Sequence, residues 1–203
     1  ISEHLPQVNR VSSYCLPRNL RKKSVEELKE LADAGLRMVY VGAESGDDEV
    51  LARVNKGETF ASTLDALEKL GAAGITRSVM ILNGLGGKSL SQQHAENSAR
   101  LMNAAQPEFL STLVVSFPGG DARLRQNFAD FEPLDQQSLF IEVERLLQAL
   151  ELNDTTFRSD HASNYLVLKG QLGADKAALL EQVRRAIEQP RCAGLRQEWQ
   201  RGL

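Results

Sequence analysis

The chain has 203 residues, 42% of them hydrophobic and 25% charged, with a formal net charge of −3. That length can bury a sizeable core without disulfides or a structural metal. The charge excludes a general attraction to nucleic acid or to an anionic membrane. The two cysteines, Cys15 and Cys192, match no metal-ligand spacing, which predicts a reduced cytoplasmic setting and no metal site built by this chain. No apolar run approaches the roughly 20 residues that span a bilayer, and no signal peptide is visible.

In chain order, Arg10 to Cys15 reads as a short strand, ended by Leu16-Pro17. The cationic group from Arg18 to Lys23 reads as a solvated loop before a helix. Ser24 opens that helix, because Glu27 three residues on completes a capping box, and Val25, Leu28, Leu31 and Ala32 share its apolar face up to Gly35. Arg37 to Val41 is the apolar run of a strand buried on both faces. A short helix from Asp47 leads to a longer one over Thr59 to Ala73. A third strand follows at Thr76 to Leu82, then the turn Asn83-Gly84-Leu85-Gly86-Gly87. Helix Ser89 to Ala105, strand Phe109 to Ser116 and helix Asp135 to Glu151 come next, the last pair separated by a looser region up to Pro133. Thr155 to Gly170 reads as irregular with one strand at most, Ala174 to Gln189 as a helix, and the charged end from Arg191 as loosely ordered, with Trp199 as a packing anchor.

Alternating β and α segments with short links require parallel strands and right-handed crossovers. Four such units are too few to close an eight-stranded barrel. The expected fold is therefore α/β: a parallel, partial (β/α) barrel of about four βα units over residues 1–152, with a carboxyl-terminal extension of loop and helices over 153–203.

Three islands carry chemistry. In the first, Gly42-Ala43-Glu44-Ser45-Gly46-Asp47-Asp48 follows a buried strand. Ser45, Asp48 and the glycines are explained by a tight turn and a helix start. Glu44 is not, since a carboxylate beside a buried strand loses solvation unless it meets a cation or donors. In the second, Gly87-Lys88-Ser89 resembles the end of a phosphate-binding loop, but the glycine that motif needs five residues earlier is Leu82. Its backbone N–H groups are still placed to receive an anion such as a carboxylate, and His94 follows on the next helix. The third holds Asp160, His161, Ser163, Asn164, Tyr165 and Lys169. Two readings of it stand: a substrate-side site in which His161 acts as acid or base, or a loop held by Asx-type bonds.

The string Ala43-Glu44-Ser45-Gly46-Asp47-Asp48-Glu49-Val50-Leu51 with Asn55-Lys56-Gly57 resembles the fourth strand and turn of radical S-adenosylmethionine (radical SAM) proteins. The likeness continues through Gly84-Leu85-Gly86-Gly87-Lys88 with His94-Ala95. It resumes at Phe157-Arg158-Ser159-Asp160-His161-Ala162-Ser163-Asn164-Tyr165-Leu166 and Leu168-Lys169-Gly170. The resemblance implies a fold of partial-barrel type and two cofactors, S-adenosylmethionine and a 4Fe–4S cluster. It also implies reductive cleavage of the sulfonium to a 5′-deoxyadenosyl radical, an electron donor and an unidentified small-molecule or macromolecular substrate. It places Glu44, Ser45, Asn83 and Ser78 on the adenosyl side, and makes His161 and Asn164 the candidate catalytic residues on the substrate side.

The sequence departs from the family at the cluster, whose CxxxCxxC triplet is absent. Met80 and Gly87 also stand at the first and last positions of its usual GxIxGxxE pattern. Because the chain opens on Ile1, the expectation is a piece lacking its amino-terminal portion, inactive alone and exposing a sheet edge that drives self-association. Two alternatives remain: a half-barrel binding or scaffold module without catalysis, and a phosphate- or nucleotide-binding α/β domain.

Overall fold

The computed structural model describes His4 and residues 7–202, so Ile1 lies outside the described residues. One six-stranded sheet runs in the order β1 (Val11–Cys15), β2 (Leu36–Glu44), β3 (Thr76–Asn83), β4 (Phe109–Val114), β5 (Thr155–Ser159) and β6 (Leu168–Leu172). The first five strands are parallel and β6 returns antiparallel to β5. Between them lie α1 (Val25–Asp33), α2 (Asp48–Arg53), α3 (Phe60–Ala72), α4 (Gly87–Ala105), α5 (Ala122–Arg125) and α6 (Gln136–Ala149), and α7 (Lys176–Glu188) follows β6. Parallel neighbours in sequential order, each joined by a right-handed crossover, must place all their helices on one face. The other face stays open. This is a mostly parallel sheet of the partial (β/α) barrel kind.

Alternation along each strand sorts the side chains. Val39, Val41 and Ala43 of β2, Val79 and Ile81 of β3, Leu110 of β4 and Phe157 of β5 face the helices and form the core with Leu67, Leu70, Leu101 and Leu147. The register places Tyr14, Tyr40 and Ser78 in one row on the open face, with Gly42, Met80, Ser111 and Arg158 in the next. A smaller apolar cluster of Val50, Leu85, Leu90, Phe128 and Phe131 packs under the segment between β4 and α6.

The helix starts follow their capping signals: Ser24, Thr59 and Asp135 each accept the N–H three residues on. Two expectations need correction. Leu31, assigned to the buried face of α1, is 40% exposed. The segment Thr155 to Gly170, read as irregular, supplies β5 and the start of β6, so the sheet runs unbroken past position 153. The reason is compositional: Thr155, Phe157 and Ser159 are the buried set of β5, and two hydroxyls in three weaken the apolar alternation that marks a strand. Among the described residues no helix is long and apolar enough to cross a membrane.

Arg77 braces the amino edge of the sheet. Its guanidinium donates to the Ala105 and Gln106 carbonyls at the end of α4 (2.9 and 2.8 Å) and to Glu108 Oε1 (2.6 Å), while Glu108 Oε2 accepts the Arg77 N–H at 2.7 Å. Burial raises the Glu108 carboxyl's pKa, but the bonds from the Arg77 side chain and main chain outweigh it and leave it below the ordinary carboxylate value. A depressed folded pKa adds stability that is complete above the unfolded value and is lost as pH falls through the folded one. Urea unfolding followed with pH should therefore show stability declining below about pH 4. Glu108→Gln should be less stable at neutral pH and show a shallower acid decline.

Candidate functional site

At the carboxyl end of β2 the chain turns within one residue. Glu44 has φ +65°, and the Ser45 N–H donates to the Ala43 carbonyl at 2.8 Å. A bond from residue i+2 back to i across a positive-φ centre is the rarer and strained form of γ-turn, unusual for a residue with a side chain. Its result is positional: the Glu44 side chain lies back over Gly42 on the open face. A Cβ at Gly42 would sit 2.6 Å from Glu44 Oε1 and 3.8 Å from Lys56 Nζ, so this ion pair occupies the space that a side chain at Gly42 would need.

Lys56 meets Glu44 Oε1 at 2.7 Å. It reaches that point because α2 ends in a Schellman motif: Asn55, at φ +53°, donates to the Ala52 carbonyl, and Lys56 N–H to the Leu51 carbonyl, each at 3.0 Å. Glu44 Oε2 has no hydrogen bond among the described residues. The pair borders a cavity of about 260 Å³ whose walls include Tyr14, Cys15, Asn19, Tyr40, Gly42 and Met80. The Tyr14 and Tyr40 rings lie 5.2 Å apart there.

The next three residues face the other way, into α4. Ser45 is fully buried; its Oγ lies 2.8 Å from His94 Nδ1 and accepts the Asp47 N–H at 3.0 Å. His94 Nε2 lies 3.0 Å from the Leu82 carbonyl, which can only accept. That fixes Nε2–H as donor, so in the neutral ring Nδ1 accepts from Ser45. Gly46 N–H donates to Ser98 Oγ at 2.9 Å, and a Cβ there would lie 2.3 Å from the Asn97 carbonyl oxygen. Asp47 caps α2 through Val50 N–H and accepts Asn97 Nδ2 at 2.6 Å and Gln93 Nε2 at 3.2 Å. Burial raises the Asp47 pKa, yet these donors together hold it below the ordinary value. The Ser45–His94 chain extends towards Glu142, 3.9 Å away, but it is no nucleophile triad: Ser45 has no access to solvent and Nε2 is committed to a carbonyl.

Glu142 itself answers the glycine turn. From the buried face of α6 it accepts Gly84 N–H and Ser91 Oγ–H, each at 2.6 Å. The turn does receive a carboxylate, but the chain's own. At the start of α4 Lys88 N–H donates to the Glu132 carbonyl (2.9 Å), and Lys88 Nζ pairs with Glu132 Oε2 at 3.2 Å. Two of the N–H donors that a phosphate site there would draw on, those of Gly84 and Lys88, are thereby engaged by the chain itself.

Asn83 and Asn164, assigned to opposite sides of a reaction, meet each other instead. Both line a cavity of about 20 Å³, room for one water, between the sheet and α6. All the Asn164 amide groups are engaged: Oδ1 accepts Val114 N–H, and Nδ2 donates to the Thr112 carbonyl and Ser159 Oγ. His161 is exposed, with Nδ1 2.9 Å from Ser163 Oγ, and Asp160 pairs with Lys169 at 2.8 Å, which holds its carboxyl below the usual range.

The charged tail is docked on this loop. Arg196 donates to the carbonyls of His161 (2.6 Å), Asn164 and Asp160 (both 3.2 Å), and Arg201 to that of Ser163 (2.8 Å). The Arg201 guanidinium also stands 3.7 Å over the Tyr165 ring. Trp199, expected to pack, is 82% exposed.

Residues 5–102, which hold the β2 turn and most of α4, match the radical SAM superfamily profile. Over that stretch, just under half of its length, the chain is similar to the radical SAM superfamily. No curated protein matches it in sequence. Its fold is similar to that of the archaeal Elp3 of Methanocaldococcus infernus (15% identity, TM-score 0.57), with 92% of this chain aligned to 42% of that one. It is also similar to methylornithine synthase PylB (14%, TM-score 0.48, 86% of this chain and 45% of that). The radical S-adenosylmethionine methyltransferase TsrM of Kitasatospora setae aligns at 25% identity and TM-score 0.42 over 51% of this chain and 19% of that. The chain thus spans less than half the length of these structures.

Within this matched region, Glu44 and Ser78 lie on the open face, while Ser45 and Asn83 are turned into the wall that supports it. Sequence reasoning assigned no role to Lys56, Tyr14, Tyr40 or Glu142. For Lys56 a signal was present: a lone cation just past a short helix, in position to answer an unexplained carboxylate. Glu142 carried none, since it sits in an ordinary helical pattern.

Gly46→Ala should cost about 1–3 kcal/mol by overpacking against the α4 backbone. Ser45→Ala, which strips Asp47 N–H and His94 Nδ1 of a buried partner, should cost a similar ~1–3 kcal/mol. Chemical denaturation checks both. Removing residues 194–203 should speed amide hydrogen exchange across 160–166 and leave β2 and β3 protected, as exchange mass spectrometry would show.

Proposed function

We propose that this chain supplies the S-adenosylmethionine-binding side of a radical SAM enzyme, with Glu44 accepting hydrogen bonds from the cofactor's hydroxyl or amino groups. The observation that supports this most is the backbone at Glu44: a strained turn holds one carboxylate on the open face, at a strand's carboxyl end, with one oxygen on Lys56 and the other without a hydrogen bond among the described residues. The Tyr14–Tyr40 pair and Met80 give the adjoining cavity flat, apolar walls suited to a nucleoside. In this reading Ser78 lines the same face deeper in, Ser45 and Asn83 position the wall, and His161 at the exposed rim is open to substrate, with Asn164 as its anchor.

In this family, S-adenosylmethionine bound beside a reduced 4Fe–4S cluster supplies a 5′-deoxyadenosyl radical. The cluster does not fit this chain. Its two cysteines are Cys15 on β1 and the exposed Cys192 near the opposite end, and among the described residues no three His, Cys, Asp or Glu side chains gather to hold a metal. The reductive step is therefore assigned to no residue here, and the electron donor and substrate belong to the whole protein.

Titration calorimetry of the chain with S-adenosylmethionine should show binding that Glu44→Gln weakens about tenfold, the loss of roughly 1.4 kcal/mol expected for a charged hydrogen bond. Absence of binding, or equal binding by the variant, overturns the assignment. The unpaired edge of β1, where Tyr14 is 79% exposed, supports pairing with a second copy. Light scattering at tens of micromolar should report a dimer, and a monomer would rule this out. The two free cysteines support a reduced, cytoplasmic setting.

A further inference from the structure

Between β4 and α6 the chain makes a tight turn: Gly120 N–H donates to the Phe117 carbonyl at 2.8 Å, with Pro118 and Gly119 between. This turn separates two hollows that share Phe117 and Gly120 as lining residues. One, of about 390 Å³, is walled by Val115, Phe117, Phe131, Leu134 and Leu139. The other, of about 490 Å³, presents Arg53, Asn55, Arg123, Gln126 and Asn127. Each has the size of a small-molecule site, roughly 300–1,000 Å³. Aromatic contacts join them: Phe117 meets Phe131 edge-on at 5.7 Å, Phe131 meets Phe128 at 5.2 Å, and Arg53 stacks on Phe128 at 4.7 Å. The result is one groove with an apolar end and a polar end.

The charges around it decide what the polar end lacks. Asp121 is neutralised by Arg125 at 2.8 Å. Arg53 is shared between Glu49 at 2.7 Å and Asp130 at 2.9 Å. Arg123 makes no ion pair or hydrogen bond among the described residues. A single uncompensated guanidinium flanked by side-chain amides suits one carboxylate, which it can grip through two parallel N–H bonds. A phosphate dianion would need a second free cation, and the groove offers none among the described residues.

We propose that this groove binds a monocarboxylate with an apolar body, the body against Phe117, Phe131 and Leu139 and the carboxylate on Arg123. None of its lining residues borders the Glu44 cavity, although Asn55 in its polar wall directly precedes Lys56 in the chain. That the bound carboxylate is the substrate class rests on the radical SAM reading above; the binding itself does not.

The test is amide NMR of the chain titrated with octanoate, with 1-octanol and acetate as controls. Octanoate should shift the amides of Val115, Phe117, Gly120, Arg123 and Leu134. Octanol should bind about tenfold more weakly, and acetate should leave the apolar wall unmoved, a tenfold step being about 1.4 kcal/mol. Arg123→Gln, a change at an exposed side chain, should reduce octanoate to the affinity of octanol without altering the fold's spectrum. Octanoate shifts that lie elsewhere, or an Arg123→Gln chain that binds octanoate as tightly as before, overturn the proposal. Octanoate binding in a chain that ignores S-adenosylmethionine would sink the substrate assignment and the radical SAM reading together, yet leave the groove standing.

Discussion

The close approach of Gly46 to α4 is the constraint on which the site depends. No side chain fits between the β2–α2 turn and the α4 backbone, so the two segments meet main chain to main chain, and every neighbouring bond is set by that contact. Ser45 reaches His94, Gly46 reaches Ser98, and Asp47 reaches Gln93 and Asn97. These bonds pull the chain past the end of β2 more sharply than an ordinary strand exit allows. Glu44 absorbs the difference by adopting φ +65°. The strain at Glu44 is therefore not isolated: it is held by a buried set of hydrogen bonds, each worth on the order of 1 kcal/mol, against a backbone penalty of about 1–3 kcal/mol.

The same reasoning divides the Glu-Ser-Gly-Asp string into two functions. Glu44 faces the open side and has one oxygen without a hydrogen bond among the described residues. Ser45, Gly46 and Asp47 face the helix, with their N–H groups and polar side chains engaged in bonds within the chain. His94, the histidine on α4, belongs to this second group: it carries the clasp on to the end of β3 through the Leu82 carbonyl. Glu142 continues it from α6 to the glycine turn. The ends of β2 and β3 are thus tied to the helix layer by buried polar groups, which leaves the opposite face free of structural duties.

Much of this was legible in the residues themselves. Strand and helix order followed from period and caps, because Ser24, Thr59 and Asp135 are side chains whose preferred local bond is the one they make. Glu44 stood out because nothing local explained it. What could not be read was direction. Ser45 and Glu44 are neighbours and look equally suited to a ligand; only the γ-turn, a property of the backbone between them, sends them to opposite faces. Asn83 and Asn164 fail for a related reason: Asn83 at the end of β3 and Asn164 in the β5–β6 loop, bonded to Thr112, Val114 and Ser159, both turn inward onto a water-sized cavity. The β5–β6 hairpin was hidden by its buried hydroxyls, and the tail by the fact that its arginines bind carbonyls, partners that no sequence pattern displays.

The tail makes the same point about charge. Arg196 points at main-chain oxygens of the 160–165 loop, and Arg201 divides itself between the Ser163 carbonyl and Glu198 (2.7 Å), so the segment that looked most solvated closes over one of the motif's three islands. Arg123 differs: it stands on a short helix beside an apolar hollow, and among the described residues neither a carbonyl nor an acid meets it. Within one fold, then, arginines that are spoken for mark architecture, as Arg77, Arg196 and Arg201 do. One that is not, set against an aromatic wall, marks the place where something outside the chain completes the structure.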